Sequence, residues 1–378
     1  MSHNCLNFPA CGGCLYRDLS PEQYCNQKKE RFSNILKAIN QSEIVQSDPI
    51  FIADATRRRA TFTFSYHKKQ LKFGFNAAQS HDIVDIKKCL LLTPRLNNNL
   101  CYIRKLITEL CQEPFTVKQG KKLLKQSLTA GDVSLCDAEN GIDILFDIPY
   151  APELNHRLLI SEQINSCSDI IRVSWRTKSS EQPETILEKS RPYIINSGIN
   201  VYISAGTFLQ ASVAGEQALI NQVMKYIGTE NGMIADLFCG IGTFSYPLSK
   251  DKNNKILAID SSVELLQGFQ TSVNRNQITN IQIKTRNLFK YPLDEQEIAN
   301  CDIMIFDPPR AGAAAQVKQV ATASQQPPVV IAVSCNPHTF VNDANTLISG
   351  GYTIKDITMV DQFVYSGHTE LVALFKKE

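Results

Sequence analysis

Apolar and polar residues follow three different rhythms along this chain, and each rhythm predicts a different kind of structure. Ser20 before Pro21 is a helix start, a capping hydroxyl ahead of a proline at the first helical position, and good helix formers continue to Asn40. From about Ile50 to Asp147 the pattern shortens. Thr61-Phe62-Thr63-Phe64-Ser65-Tyr66 alternates polar with aromatic, and Lys72-Phe73-Gly74-Phe75 follows a short polar turn, which predicts a half-buried antiparallel hairpin. Leu96 to Cys111 predicts a helix, Ile142 to Phe146 a strand, and Ser179 to Glu184 a polar loop. After about residue 210 short apolar strands (233–238, 255–260, 281–285, 302–306, 329–334) alternate with helical stretches, notably 261–276 and 339–349. Such alternation implies a mostly parallel sheet with helices on both faces. Two closely spaced strands, Tyr352–Val360 and Glu370–Phe375, then end the sheet in an antiparallel hairpin, which a plain dinucleotide-binding fold lacks.

Composition narrows the class. The 378 residues are 43% hydrophobic and 20% charged, which excludes a disordered chain and predicts two or three domains. No apolar run approaches the ~18 residues of a membrane span, and Met1-Ser2-His3-Asn4-Cys5 lacks the basic and apolar regions of a secretory signal. A cytoplasmic globular protein with no obligate protein partner is expected. The net charge of +2 hides an asymmetry: residues 1–130 hold 20 Lys/Arg against 10 Asp/Glu, and residues 131–378 hold 19 against 27. A basic front third is compatible with a polyanion-binding module or with a solvated basic face. Arg57–Arg59, Lys68, Lys69 and Lys72 among aromatics such as Tyr66, with a further basic stretch at Lys118–Lys125, are the expected phosphate-facing groups.

Chemistry-bearing motifs concentrate in the second half. Asp236-Leu237-Phe238-Cys239-Gly240-Ile241-Gly242-Thr243-Phe244 closes a strand with two glycines that let the backbone pass close to a ligand, and Asp260 ends the next strand where it can accept from both ribose hydroxyls. The pair suits NAD or S-adenosylmethionine; the missing third glycine of a pyrophosphate site favours the adenosyl sulfonium. Asp307 leads the stiff turn Asp307-Pro308-Pro309-Arg310, and Cys335 occupies the same place on the following strand, in Ser334-Cys335-Asn336-Pro337. Glu370, in His368-Thr369-Glu370, begins the last apolar strand as a candidate base. A methyl donor, a thiol, a base and a carboxylate to hold a pyrimidine edge are what methylation of uracil C5 requires, because C5 becomes nucleophilic only after a thiolate adds to C6.

In order and spacing Gln210, the Asp236–Phe244 loop, Asp307-Pro308-Pro309-Arg310, Ser334-Cys335-Asn336-Pro337 and His368-Thr369-Glu370 resemble the RNA 5-methyluridine methyltransferase family. The resemblance implies Cys335 as nucleophile, Glu370 as the base for the C5 proton, and Asp307 holding the uracil and bordering the methyl donor. It further implies Gln210, Phe238, Gly240, Gly242, Thr243, Asp260 and Asn287 around S-adenosylmethionine. Asn342, Ser212 and Thr243 depart from the residues usual in the family. Cys5, Cys11, Cys14 and Cys89 resemble the four ligands of the iron–sulfur branch that acts on ribosomal RNA. Four thiolates suit either a [4Fe–4S] cluster or zinc, and the resemblance favours the cluster. With four residues ahead of Cys5, no N-terminal TRAM domain is expected. The expected organisation is a class I methyltransferase domain of α/β fold at 201–378, a central α+β RNA-binding domain at 48–200 that lends Cys89 to the cluster, and a cluster-binding segment at 1–47. The expected activity is 5-methyluridine formation in 23S rRNA. Transfer RNA as substrate, a catalytically silent RNA-binding protein and a nicotinamide oxidoreductase are the alternatives.

Overall fold

The computed structural model describes residues 5–177 and 182–377, so the expected loop at 179–184 lies in part outside the described residues. The chain forms two compact units: residues 1–18, 53–194 and 203–212 make the first, and residues 19–52, 195–202 and 213–378 the second. The expected segment 1–47 is thus divided after Asp18. The helix Pro21–Leu36 goes with the second unit because its buried face, including Phe32 and Leu36, shares a core with Ile354 and Phe375. Ser20 caps that helix as expected, in a reciprocal capping box with Gln23.

In the first unit seven strands form one sheet in the order Glu184–Glu188, Ile170–Arg176, Gly141–Asp147, Ala130–Ala138, Arg59–His67, Gln70–Asn76, Ile83–Asp85. The expected hairpin is present: Thr63 faces Gly74 and His67 faces Gln70, with Lys68 and Lys69 both left-handed at its two-residue turn. Its alternation corrects the expected role of the rings. Phe62, Phe64 and Phe73 point inward and are fully buried against the helix Pro94–Gln112, and Tyr66 is half-buried. Arg58 is buried too, its Nε donating to the Gln210 carbonyl at 3.0 Å, and the Arg59 guanidinium lies 4.1 Å from the Phe208 ring. Of the expected phosphate-facing groups, Lys68, Lys69 and Lys72 are exposed, as are Lys118, Lys121, Lys122 and Lys125 of the separate ribbon Phe115–Gln119/Lys122–Gln126 and its turn.

The second unit is an eight-stranded sheet in the order Ile50–Phe51, Tyr352–Asp361, Glu370–Lys377, Val329–Ser334, Ile303–Phe306, Met233–Leu237, Lys255–Asp260, Ile281–Thr285. Glu370–Lys377 alone runs against its neighbours, inserted between two strands that precede it in the chain. Residues alternate between two cores, one per face: Ala235, Leu237, Val330 and Ala332 on one side, Ile234, Val329, Ile331 and Val333 on the other. This is the expected class I topology. Among the described residues no helix is long and apolar enough to cross a membrane.

Candidate active site

The second unit gathers its chemistry at the carboxyl ends of its parallel strands, where open α/β sheets bind ligands. Leu237 pairs with both Ile259 and Phe306, and Phe306 with Ala332, so Phe238, Asp260, Asp307 and the turn before Cys335 leave one edge side by side. The antiparallel strand brings its beginning to that edge. Ser334 faces Leu371, so the next residue along each strand sets Cys335 beside Glu370. Asn336 caps the helix Pro337–Ser349 and its Nδ2 donates to the Arg310 carbonyl at 2.8 Å, tying the Asp-Pro-Pro-Arg turn to the cysteine turn.

Electrostatics register the same gathering. Burial, then repulsion from Glu370, Asp236 and Asp260, holds the Asp307 carboxyl well above its usual range. Burial, with Glu370 and Asp307 adding to it, pushes the Cys335 thiol up to about 11, against help from a backbone N–H and Arg310. Glu370 is 4% exposed, and burial raises its carboxyl to about 7 although Gln362 Nε2 donates to it at 3.0 Å. Glu370 and Asp307 thus act on the thiol, and Asp236 and Asp260 act in turn on Asp307, so four carboxyl groups share one edge of the sheet.

The glycine loop fits an adenosyl ligand in part as expected. A Cβ on Gly240 would meet nothing within 4 Å, whereas one on Gly242 would lie 2.4 Å from the Phe269 ring. Gly240 therefore leaves the space for close approach, and Gly242 serves packing. The Gly240 and Ser262 amides donate to the two Asp260 oxygens at 3.0 and 2.9 Å, fixing that carboxylate at the edge. Asp236 is fully buried; it accepts from Ser245 at 2.5 Å through one oxygen, while the other has no hydrogen-bond partner. The open space over Gly240 and the fixed Asp260 carboxylate suit a hydroxyl-bearing ligand. Thr243 accepts from Asn196 through its carbonyl at 3.1 Å, and Asn287 turns its side chain onto the Phe289 and Lys290 amides. Gln210 lies in the first unit. Sequence reasoning missed Phe289, whose exposed ring lies 5.4 Å from that of Phe238, and passed over Asp236, although a carboxylate at a strand end ahead of the glycines was a signal.

In the first unit Cys5, Cys11, Cys14 and Cys89 line one cavity of about 320 Å³. The segment is pinned beside it by the Gly12 amide on the Asn76 carbonyl at 3.0 Å and by Asn97, which bonds both the amide and the carbonyl of Cys89. Burial and then Cys89 push the Cys14 thiol up to about 12, and burial raises Cys11 and Cys89. Arg57 lines the same cavity. The Gly13 amide donates to the Cys11 sulfur at 3.4 Å. Among the described residues no group of three or more His, Cys, Asp or Glu closes on a metal-ion position.

Comparison with known proteins gives the site its context. The profile of the tRNA (uracil-5-)-methyltransferase family matches residues 191–378. An uncharacterised RNA methyltransferase of Agrobacterium fabrum is 31% identical, the match covering 97% of this chain and 82% of that protein. The 23S rRNA (uracil(1939)-C(5))-methyltransferase RlmD of Aliivibrio fischeri is 30% identical over 99% of this chain and 82% of its own length. This chain belongs to the RNA uracil-C5 methyltransferase family. The methyltransferase is S-adenosylmethionine-dependent and its substrate is RNA. Its fold is also that of the Pyrococcus abyssi tRNA (uracil-54, C5)-methyltransferase solved with S-adenosyl-L-homocysteine, with a TM-score of 0.71 and 21% identity, covering 97% of this chain and 84% of that one.

Proposed function

We propose that this methyltransferase forms 5-methyluridine in 23S rRNA with Cys335 as nucleophile, Glu370 as base and Asp307 as the group that holds the uracil edge. The observation that carries the assignment is the antiparallel register that sets Cys335 beside Glu370, with the Asp307 turn tied to the cysteine turn. Cys335, deprotonated, adds through sulfur to uracil C6 and pushes the C5=C6 electrons onto O4 as an enolate. Asp307, where burial and acidic neighbours favour the protonated form, donates to the uracil carbonyl and stabilises that enolate. S-adenosylmethionine, when bound, supplies the methyl group that C5 accepts. Glu370 then takes the C5 proton, the C6–S bond breaks, and the thiolate leaves with its electron pair. Phe238, Gly240, Gly242, Thr243, Asp260 and Asn287 are the residues of this unit proposed around the adenosyl and methionyl groups, with Asp260 on the ribose hydroxyls.

The first unit is proposed as the RNA-binding part, with the exposed lysines of its hairpin and ribbon neutralising phosphates. A [4Fe–4S] cluster held by Cys5, Cys11, Cys14 and Cys89 is proposed over zinc, because the four thiols surround a cavity rather than converge on a point. Its place beside the pinned N-terminal segment makes the role structural, since methyl transfer moves no electrons between substrate and protein. Ribosomal RNA is proposed on the likeness to the Aliivibrio enzyme and on these cysteines. Transfer RNA is the second reading, favoured by the family profile over residues 191–378.

Release of tritium from ribosomal and transfer RNA labelled at uridine C5, taken from cells lacking the enzyme, tests the proposal. Release from ribosomal RNA alone, dependent on S-adenosylmethionine and abolished by Cys335→Ala, is expected. Release from transfer RNA alone would replace the substrate assignment. Release that survives Cys335→Ala would remove the nucleophile.

A further inference from the structure

We infer that Lys28 is a positioning residue for Glu370, acting through the connection 362–369 that delivers the base to the site; the inference rests on the assignment of Glu370 proposed above. The helix Pro21–Leu36 buries Tyr24, Lys28, Phe32 and Leu36 at every fourth position, so an ammonium stands in an otherwise aromatic and aliphatic stripe. Lys28 is 1% exposed. Its Nζ lies 2.8 Å from Asp361 Oδ1 and donates to the Ser366 carbonyl at 3.1 Å, to the His368 carbonyl and to Thr369 Oγ1 at 3.4 Å. The ion-pair partner thus ends the strand Tyr352–Asp361, and the three hydrogen-bond acceptors lie in the connection just ahead of Glu370.

Tyr24 closes the network from the same helix. Its hydroxyl donates to the second Asp361 oxygen and accepts from the Tyr365 amide at 2.8 Å. Tyr365 is left-handed at φ +59°, a conformation that costs free energy for a residue with a Cβ and persists where surroundings hold it. Gln362, next to Asp361, gives the Glu370 carboxylate its side-chain hydrogen bond. A buried ion pair is a poor way to gain stability, since well-packed apolar residues often do as well. What this pair supplies is the placement of both ends of an eight-residue connection, and with it the angle at which Glu370 meets the uracil C5 hydrogen. Lys28 acts on the proton-removal step and not on sulfur addition or methyl acceptance, which use groups on other strands.

Single-turnover reactions separate these steps. Total RNA labelled with tritium at uridine C5, from cells lacking the enzyme, is mixed with the full-length protein and S-adenosylmethionine labelled in its methyl group. Methyl transfer is followed in RNA plus the protein–RNA adduct on denaturing gels, and elimination by tritium release. For Lys28→Met we expect transfer within about threefold of the unmodified enzyme, release slowed by about tenfold or more, and accumulation of methylated adduct. Lys28→Met combined with Asp361→Asn, which leaves no unpaired buried charge, should do the same and decides the matter if the single variant does not fold. Release and transfer falling together, or an unchanged ratio between them, would overturn the inference. Glu370→Gln is run beside them: if it releases tritium at the normal rate, the base assignment fails rather than the role of Lys28.

Discussion

Glu370 and Cys335 are neighbours whose protonation runs opposite to the role proposed for each, since burial raises the Glu370 carboxyl to about 7 and the Cys335 thiol to about 11. Proton removal should therefore respond to pH near neutrality. Below about 7 Glu370 holds its proton, and decay of the methylated adduct should slow about tenfold per pH unit, levelling off above; rapid-quench decay between pH 5.5 and 8.5 checks this. In the ligand-free enzyme alkylation of Cys335 by iodoacetamide should rise about tenfold per pH unit up to about 11, read by mass spectrometry. A rate flat above pH 8 would mean a thiol far more acidic than this site makes it. Cys335, Asp307 and Glu370 could be singled out as candidates in the sequence because strand ends and proline turns mark the ligand edge of such a sheet. Lys28 could not be, because its meaning lies in burial: a lysine at every-fourth-residue spacing with Tyr24, Phe32 and Leu36 reads as polar noise until the stripe is seen to face inward.

Strands and helices of the second half followed their hydrophobic runs within about two residues, because parallel strands buried on both faces are continuous apolar segments. Ile50–Phe51 escaped notice, being two residues long and defined only by pairing with Val360 and Asp361. The aromatic hairpin was legible as an element, yet alternation alone could not say which face was inward. In the glycine loop the two glycines look alike in sequence and differ in space. Gly242→Ala should lower stability by about 2–4 kcal/mol, since its Cβ would strike the Phe269 ring at 2.4 Å and φ is +89°. Gly240→Ala should cost about 1 kcal/mol of stability but weaken S-adenosylmethionine binding by about tenfold or more, because its Cβ enters the space proposed for the ligand. Urea unfolding and calorimetric titration of the two variants distinguish these outcomes.

At the scale of the molecule two compact units, each with its own core residues, predict two unfolding transitions. Loss of the proposed cluster, through Cys14→Ser or anaerobic chelation, should lower the first unit's midpoint and leave the second's in place; scanning calorimetry with iron and sulfide analysis checks this. Asp236 and Glu370 both keep their protons to about pH 7 in the folded chain and release them near pH 4 when unfolded. The folded form thus binds more protons in between, so their contribution is fully present below about pH 4 and lost as pH rises through 7. The ligand-free second unit should accordingly be less stable at pH 8 than at pH 5, by on the order of 3 kcal/mol per carboxyl at most, with Asp236→Asn reducing the difference in urea titrations. One feature of the sheet governs how the enzyme comes into being. Glu370–Lys377 is an interior strand that lies later in the chain than both of its neighbours, so until it inserts, Val329–Ser334 and Tyr352–Asp361 bound a slot with two bare edges. A second unit whose last interior strand is unseated presents an open sheet to chaperones and proteases, and lacks the pairing of Cys335 with Glu370 proposed for catalysis.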